Sequence, residues 1–280
     1  MKNLVFLIGL ITLFYGCKEA GEGTGFVETS KLYPARLNNS WEYEVSNKIE
    51  FYNNYGQIDS TEVLNWPNQI ISVIKTGDSV GTYSNLVLFE NHIVGTPDVK
   101  HYIWFLNNDD GFYSVAYAGS AGESSGVSIN PKLNPGKKYL TIEEFRKIAS
   151  LENGILTSLQ MLVEDSIGYW NPPRKALAYP LKTGQRWIEL IHPWYHPWYR
   201  ERFINKTQTL STSAGTFNCY KVEVDWPMIP NIIFNDYINT EYGLIYREII
   251  DDSVEYSTLD NPESFFCKMT SKAILVNKNF

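Results

Sequence analysis

From Trp41 onward, polar and apolar residues alternate. Trp41-Glu42-Tyr43-Glu44-Val45 places an apolar side chain at every second position, the period of a strand with one buried face. Short apolar runs of similar character follow at Ile70–Lys75, Asn85–Phe89, Tyr102–Leu106, Phe112–Tyr117, Cys219–Val224, Ile232–Ile238 and Leu244–Ile250, with turn residues between them. One stretch breaks this period. Thr141-Ile142-Glu143-Glu144 forms a capping box, and Ile142, Phe145, Ile148 and Ala149 then share one helical face before Asn153-Gly154. Ile155–Val163 fits either a second short helix or a buried strand. The predicted fold class is all-β (minor α).

Landmarks recur along the chain at similar spacing. Tyr33-Pro34 precedes Trp41 as Tyr179-Pro180 precedes Trp187. Gly81-Thr82-Tyr83 matches Gly215-Thr216-Phe217, and the turn at Gly111 matches the turn at Gly243, each feeding an apolar strand. This spacing predicts two related antiparallel units, 31–140 and 171–280, with the second a repeat of the first. Residues 141–170 form a helical connector between them. The two units either pack as a sandwich or share a partly closed barrel.

The N-terminus has a different pattern. Lys2 is followed by an uncharged run, Leu4–Tyr15, and then Gly16-Cys17. Twelve helical residues span about 18 Å, short of the ~30 Å hydrocarbon core, so the run reads as a signal peptide over 1–16. A small residue directly before a Cys resembles a bacterial lipobox. That resemblance implies acylation of Cys17 and attachment to a membrane. Residues 17–30 are then a lipidated tether, and the Gly-rich Lys18–Gly25 has the composition of a flexible linker.

Composition narrows the classes of partner. With 24 basic and 31 acidic side chains the net charge is −7, which argues against nucleic acid, whose binding needs a basic surface. The 8 Trp, 19 Tyr and 14 Phe favour strands and equip the surface to stack on flat ligands.

In the second half, Tyr179-Pro180-Leu181-Lys182-Thr183-Gly184-Gln185-Arg186-Trp187, Ala214–Val222 and Tyr242-Gly243-Leu244-Ile245 occur in an order that resembles β-rich lipoproteins of Bacteroidetes-type bacteria. The resemblance implies a cell-envelope location and a β fold, and it implies no chemistry. Lys18-Glu19 looks like the start of the export tag on surface lipoproteins of the same bacteria. The expected location is the bacterial outer membrane, on either its periplasmic or its surface face.

Three features bear on chemistry. Gly122-Glu123-Ser124-Ser125-Gly126 fits G-x-S-x-G, with Asp165 and His192 or His196 after it, but Val127–Pro131 cannot continue as the helix that a nucleophile elbow needs. It reads as a Gly/Ser loop, and no catalytic residue is assigned. His192-Pro193-Trp194-Tyr195-His196-Pro197-Trp198-Tyr199 is a tandem repeat whose two prolines bar a helix, so the paired His lack the spacing of a helical metal site. No metal and no cofactor are expected. The run is either a proline-stiffened tip folded onto the sheet or an aromatic platform of Trp194, Tyr195, Trp198 and Tyr199. Cys219 and Cys267 form either one disulfide or two buried thiols.

Together these features predict a lipid-anchored envelope protein, a β scaffold that binds a glycan or an apolar envelope molecule. The rival classes are an envelope hydrolase and a structural subunit of an outer-membrane assembly. Protein partners are left open.

Overall fold

Period-two burial is strictest where the chain enters the sheet. Along β1 (Ser40–Tyr52), Trp41, Tyr43, Val45, Asn47, Ile49 and Phe51 are buried, and the residues between them are half-buried or exposed. The computed structural model describes residues 32–53, 55–118, 167–191, 199–225, 232–256 and 265–280. The other strands are β2 (Ile58–Asn65), β3 (Gln69–Val80), β4 (Tyr83–Ile93), β5 (Thr96–Asn108), β6 (Gly111–Ala118), β7 (Gly168–Ala178), β8 (Arg186–Ile191), β9 (Tyr199–Thr212), β10 (Gly215–Asp225), β11 (Ile232–Asn239), β12 (Gly243–Tyr256) and β13 (Phe265–Asn279). No helix occurs among the described residues.

The strands join in one antiparallel sheet in the order β7-β6-β5-β4-β3-β1-β13-β12-β11-β10-β9-β8, with β2 paired to β1 beside this path. A single continuous sheet replaces the sandwich alternative. β1 ladders with β13 from Ser40 to Phe51, and its other edge is divided between β3 (Ser40–Tyr43) and β2 (Ser46–Tyr52). The end strands β7 and β8 come together through side chains, so the sheet is a nearly closed barrel with one seam. Both strands are fully described, and no backbone ladder joins them.

Trp41 is the second residue of β1 and Trp187 the second of β8. Gly81 precedes β4 and Gly215 opens β10, while Gly111 opens β6 and Gly243 opens β12. Residues 141–166 of the predicted helical connector lie outside the described residues, and Gly168–Trp170 form the start of β7. The signal peptide and tether, 1–30, also lie outside them.

The core fills the lower end of the barrel, where β1, β6 and β12 begin. Tyr33 stacks on Phe112 at 4.5 Å, Phe112 on Phe105 at 4.3 Å, and Phe89 meets Phe105 edge-on at 4.9 Å. Polar atoms of these rings are satisfied by backbone. Trp41 Nε1 donates to Tyr242 O (2.6 Å), Tyr43 Oη donates to Leu244 O (2.8 Å), and Leu244 N donates to the Tyr33 hydroxyl (3.2 Å). Gly243 permits this close approach: its φ is +77°, and a Cβ there would lie 2.6 Å from Tyr33. A smaller cluster of Val80, Leu86, Trp104, Val115 and Ala116 packs on the opposite face of β3–β6, where Trp104 Nε1 donates to Asp78 (2.9 Å).

An ionic chain at the candidate functional site

Above the aromatic core the inner face becomes polar. Asn47, Gln69, Asn91, His101 and Ser271 are buried there, and on β7–β12 so are six arginine, glutamate and aspartate side chains. In β9 the alternation that turns Ile204 inward also turns Arg200 and Arg202 inward, while Tyr199, Glu201 and Phe203 face out. In β8, Trp187 points into the core and Glu189 follows it. Pairing steps from Ile188↔Glu201 to Leu190↔Arg200, so Glu189 is the extra residue of a β-bulge.

Three arginines converge on this one carboxylate. Arg174 Nη2 donates to Glu189 Oε1 (2.8 Å), Arg200 Nη2 to the same oxygen (2.5 Å), and Arg202 Nε to Oε2 (2.6 Å). Arg202 Nη1 also donates to Asp236 Oδ2 (2.8 Å), and Arg247 clamps Asp236 with Nε on Oδ1 (2.6 Å) and Nη2 on Oδ2 (2.8 Å). The result is a continuous chain, Arg174–Glu189–Arg202–Asp236–Arg247, with Arg200 as a branch. Phe234 lies beneath both Arg202 (5.4 Å) and Arg247 (4.8 Å), and Trp170 beneath Arg174 (4.4 Å).

All six groups are more than nine-tenths buried. Isolated, each charge would cost several kcal/mol to desolvate, which is why they occur as a chain of charge-assisted hydrogen bonds. Burial pulls the Asp236 carboxyl upward, but Arg247 and Arg202 more than offset it and hold it below the usual carboxylate range. Burial likewise works against the Arg202 charge, and Glu189 and Asp236 overcome it and keep the guanidinium protonated.

The seam runs beside this chain. Trp187 Nε1 donates to Lys175 O (2.9 Å), and the Arg174–Glu189 pair provides a second tie between β7 and β8. Pro172 and Pro173 leave β7 without two of the N–H groups that a ladder would use.

Of the predicted aromatic platform, Tyr199 opens β9, 38% exposed, and pairs with Ile191, 44% exposed. Trp194, Tyr195 and Trp198, together with His192 and His196, lie outside the described residues, as do Cys17, Asp165 and Gly122–Gly126. Cys219 on β10 and Cys267 on β13 are free and buried, with β11 and β12 between their strands, so no disulfide joins them. Burial pushes both thiols up to about 12, Asp251 adding to the effect at Cys267. The ionic chain escapes sequence reading because its members lie up to 73 positions apart and look individually like solvated charges. The Trp187-x-Glu189 and Arg200-x-Arg202 spacings are the faint signals that remain.

No protein-family model matches the chain, and no curated protein matches it. Two solved structures are similar in backbone course. One, described as a putative lipoprotein of Parabacteroides distasonis ATCC 8503, is 11% identical, with 89% of this chain and 99% of that one covered and a TM-score of 0.33. The other, described as a putative exported protein with YmcC-like fold from Bacteroides fragilis NCTC 9343, is 11% identical, with 90% and 100% covered and a TM-score of 0.35. Both come from the bacterial group whose lipoproteins the second-half motifs resemble. A likeness at this level assigns neither activity nor ligand.

Proposed function

We propose that the protein is an exported envelope lipoprotein, anchored to the outer membrane through Cys17, whose barrel is a binding scaffold for a glycan. The carrying observation is the buried guanidinium–carboxylate chain that reaches the β7–β8 seam next to Tyr199. Guanidinium and carboxylate groups match sugar hydroxyls, and Tyr199, partly exposed where β9 begins, provides a ring face for stacking. A hydrolase reading draws no support from this cluster. General acid catalysis needs one carboxyl that keeps its proton near neutrality, whereas Asp236 is clamped as an anion by two arginines.

Two experiments test the reading. Metabolic labelling with an alkyne palmitate analogue should tag the wild type and not Cys17→Ala, which should leave the outer-membrane fraction; equal labelling of both sinks the anchor. In a glycan-array screen of purified protein, Trp194→Ala/Trp198→Ala should lose binding with little change in melting temperature. A double mutant that binds as the wild type does removes the platform.

A further inference from the structure

We infer that the glycan bound at the seam is acidic, and that Glu189 is a built-in stand-in for its carboxylate, displaced when the ligand arrives. The inference rests on the scaffold reading above and adds the ligand's charge, its route and the residue that moves.

The two carboxylates of the ionic chain differ in how firmly they are held. Asp236 lies on β11, which is laddered on both edges, and two arginines hold its two oxygens. Glu189 lies on β8, at the end of the sheet order, laddered on one edge only. As the bulged residue it stands outside the one-to-one pairing of Ile188 and Leu190, so it can swing without disturbing the register. Its Oε1 serves Arg174 and Arg200 at once, at 2.8 and 2.5 Å. Three guanidinium groups on one carboxylate, at hydrogen-bond distance and shielded from water, form a receptor for that chemical group. At present the receptor is filled by the protein itself.

The route follows from the seam. Elsewhere in the described sheet, separating neighbouring strands means breaking a backbone ladder, but between β7 and β8 the described ties run through side chains, among them the Trp187 indole on Lys175 O and the Arg174–Glu189 pair. Displacing Glu189 therefore loosens the seam at the point where the ligand enters. The overall charge of −7 gives no general attraction for polyanions, so a preference for an acidic chain would have to be local.

The test uses the full chain and two probes of similar length, an oligogalacturonate and a neutral cello-oligosaccharide, measured by calorimetry. The wild type should prefer the acidic probe. Glu189→Gln removes the internal competitor's charge and should raise the ratio of oligogalacturonate to neutral-probe affinity roughly tenfold. Amide hydrogen exchange on the wild type supplies a readout independent of that variant's folding: the acidic probe should raise exchange in 187–191 and leave β11 unchanged. Equal affinity for both probes, a neutral preference, or Glu189→Gln weakening both alike overturns the inference and leaves the scaffold reading standing. If a broad glycan array yields no ligand of either kind, the scaffold reading fails first.

Discussion

The lower and upper parts of the barrel interior solve the same problem by different means. Below, Tyr33, Trp41, Phe89, Phe105 and Phe112 exclude water by area, and their few polar atoms are matched to backbone groups. Above, Arg174, Glu189, Arg200, Arg202, Asp236 and Arg247 exclude water at the cost of desolvated charge, recovered through a chain of ion pairs. Area burial is nearly indifferent to pH and tolerant of small changes in shape. An ionic chain is exacting in geometry, and losing one member leaves its partners' charges buried without compensation. The contrast separates an end held by apolar area from an end held by the state of its charges.

The sharpest way to break the contrast is to damage each end and compare. Trp41→Ala should lose about 4 kcal/mol, as large aromatic truncations in cores do, and the loss should be the same at pH 7 and pH 4. Asp236→Asn should lose about 3 kcal/mol at pH 7 because it leaves Arg247 and Arg202 buried against a neutral amide. That difference from wild type should shrink in acid. Asp236 has a folded pKa below its unfolded value, so its contribution is full above about pH 4 and disappears as pH falls through the folded value. Denaturant melts across pH 2–7 check both statements; a Trp41→Ala loss that tracks pH, or an Asp236→Asn loss that does not, would erase the distinction.

Smaller effects sharpen it. Tyr33→Phe removes the acceptor for Leu244 N inside the aromatic core and should lose about 2 kcal/mol. Glu189→Gln should lose less than Asp236→Asn, about 2 kcal/mol, since β8 is an end strand and its bulge lets the surrounding arginines relax. Equal losses for the two carboxylates would mean that the seam is as rigid as the middle of the sheet.

The lower end was largely legible in the sequence and the upper end was not. Trp41-x-Tyr43-x-Val45 announces its buried face because hydrophobic burial is written in local alternation, and Tyr33, Tyr179 and Trp187 stand out as aromatic residues near a Pro or a turn. The strand β7 carries Pro172-Pro173 and few apolar residues before Ala176, so nothing local marks it as a strand; its ladder to β6 comes from tertiary structure. Arg200 and Arg202 read as a solvated face because their burial is conditional on Glu189 and Asp236, which only the sheet order brings within reach. The bulge at Glu189 is a property of pairing and has no local signature. Of the candidate site, Tyr199 alone was marked in advance.

The position of Tyr33 has a mechanical consequence. Any pull on the chain from its N-terminal side, such as drag against a membrane tether, reaches the described fold just before β1. There Tyr33 N–H donates to the Tyr179 hydroxyl (2.7 Å), its own hydroxyl accepts from Leu244, and its ring is stacked on Phe112. The load therefore divides at once among the segment after β7, the start of β12 and the start of β6. What remains passes to β1, whose ladder with β13 runs nearly its whole length and meets the force in shear, many hydrogen bonds yielding together. Tyr179 directly follows β7, so part of any such load reaches the β7–β8 seam, and tension from the N-terminal side is felt there as well as in the β1–β13 ladder.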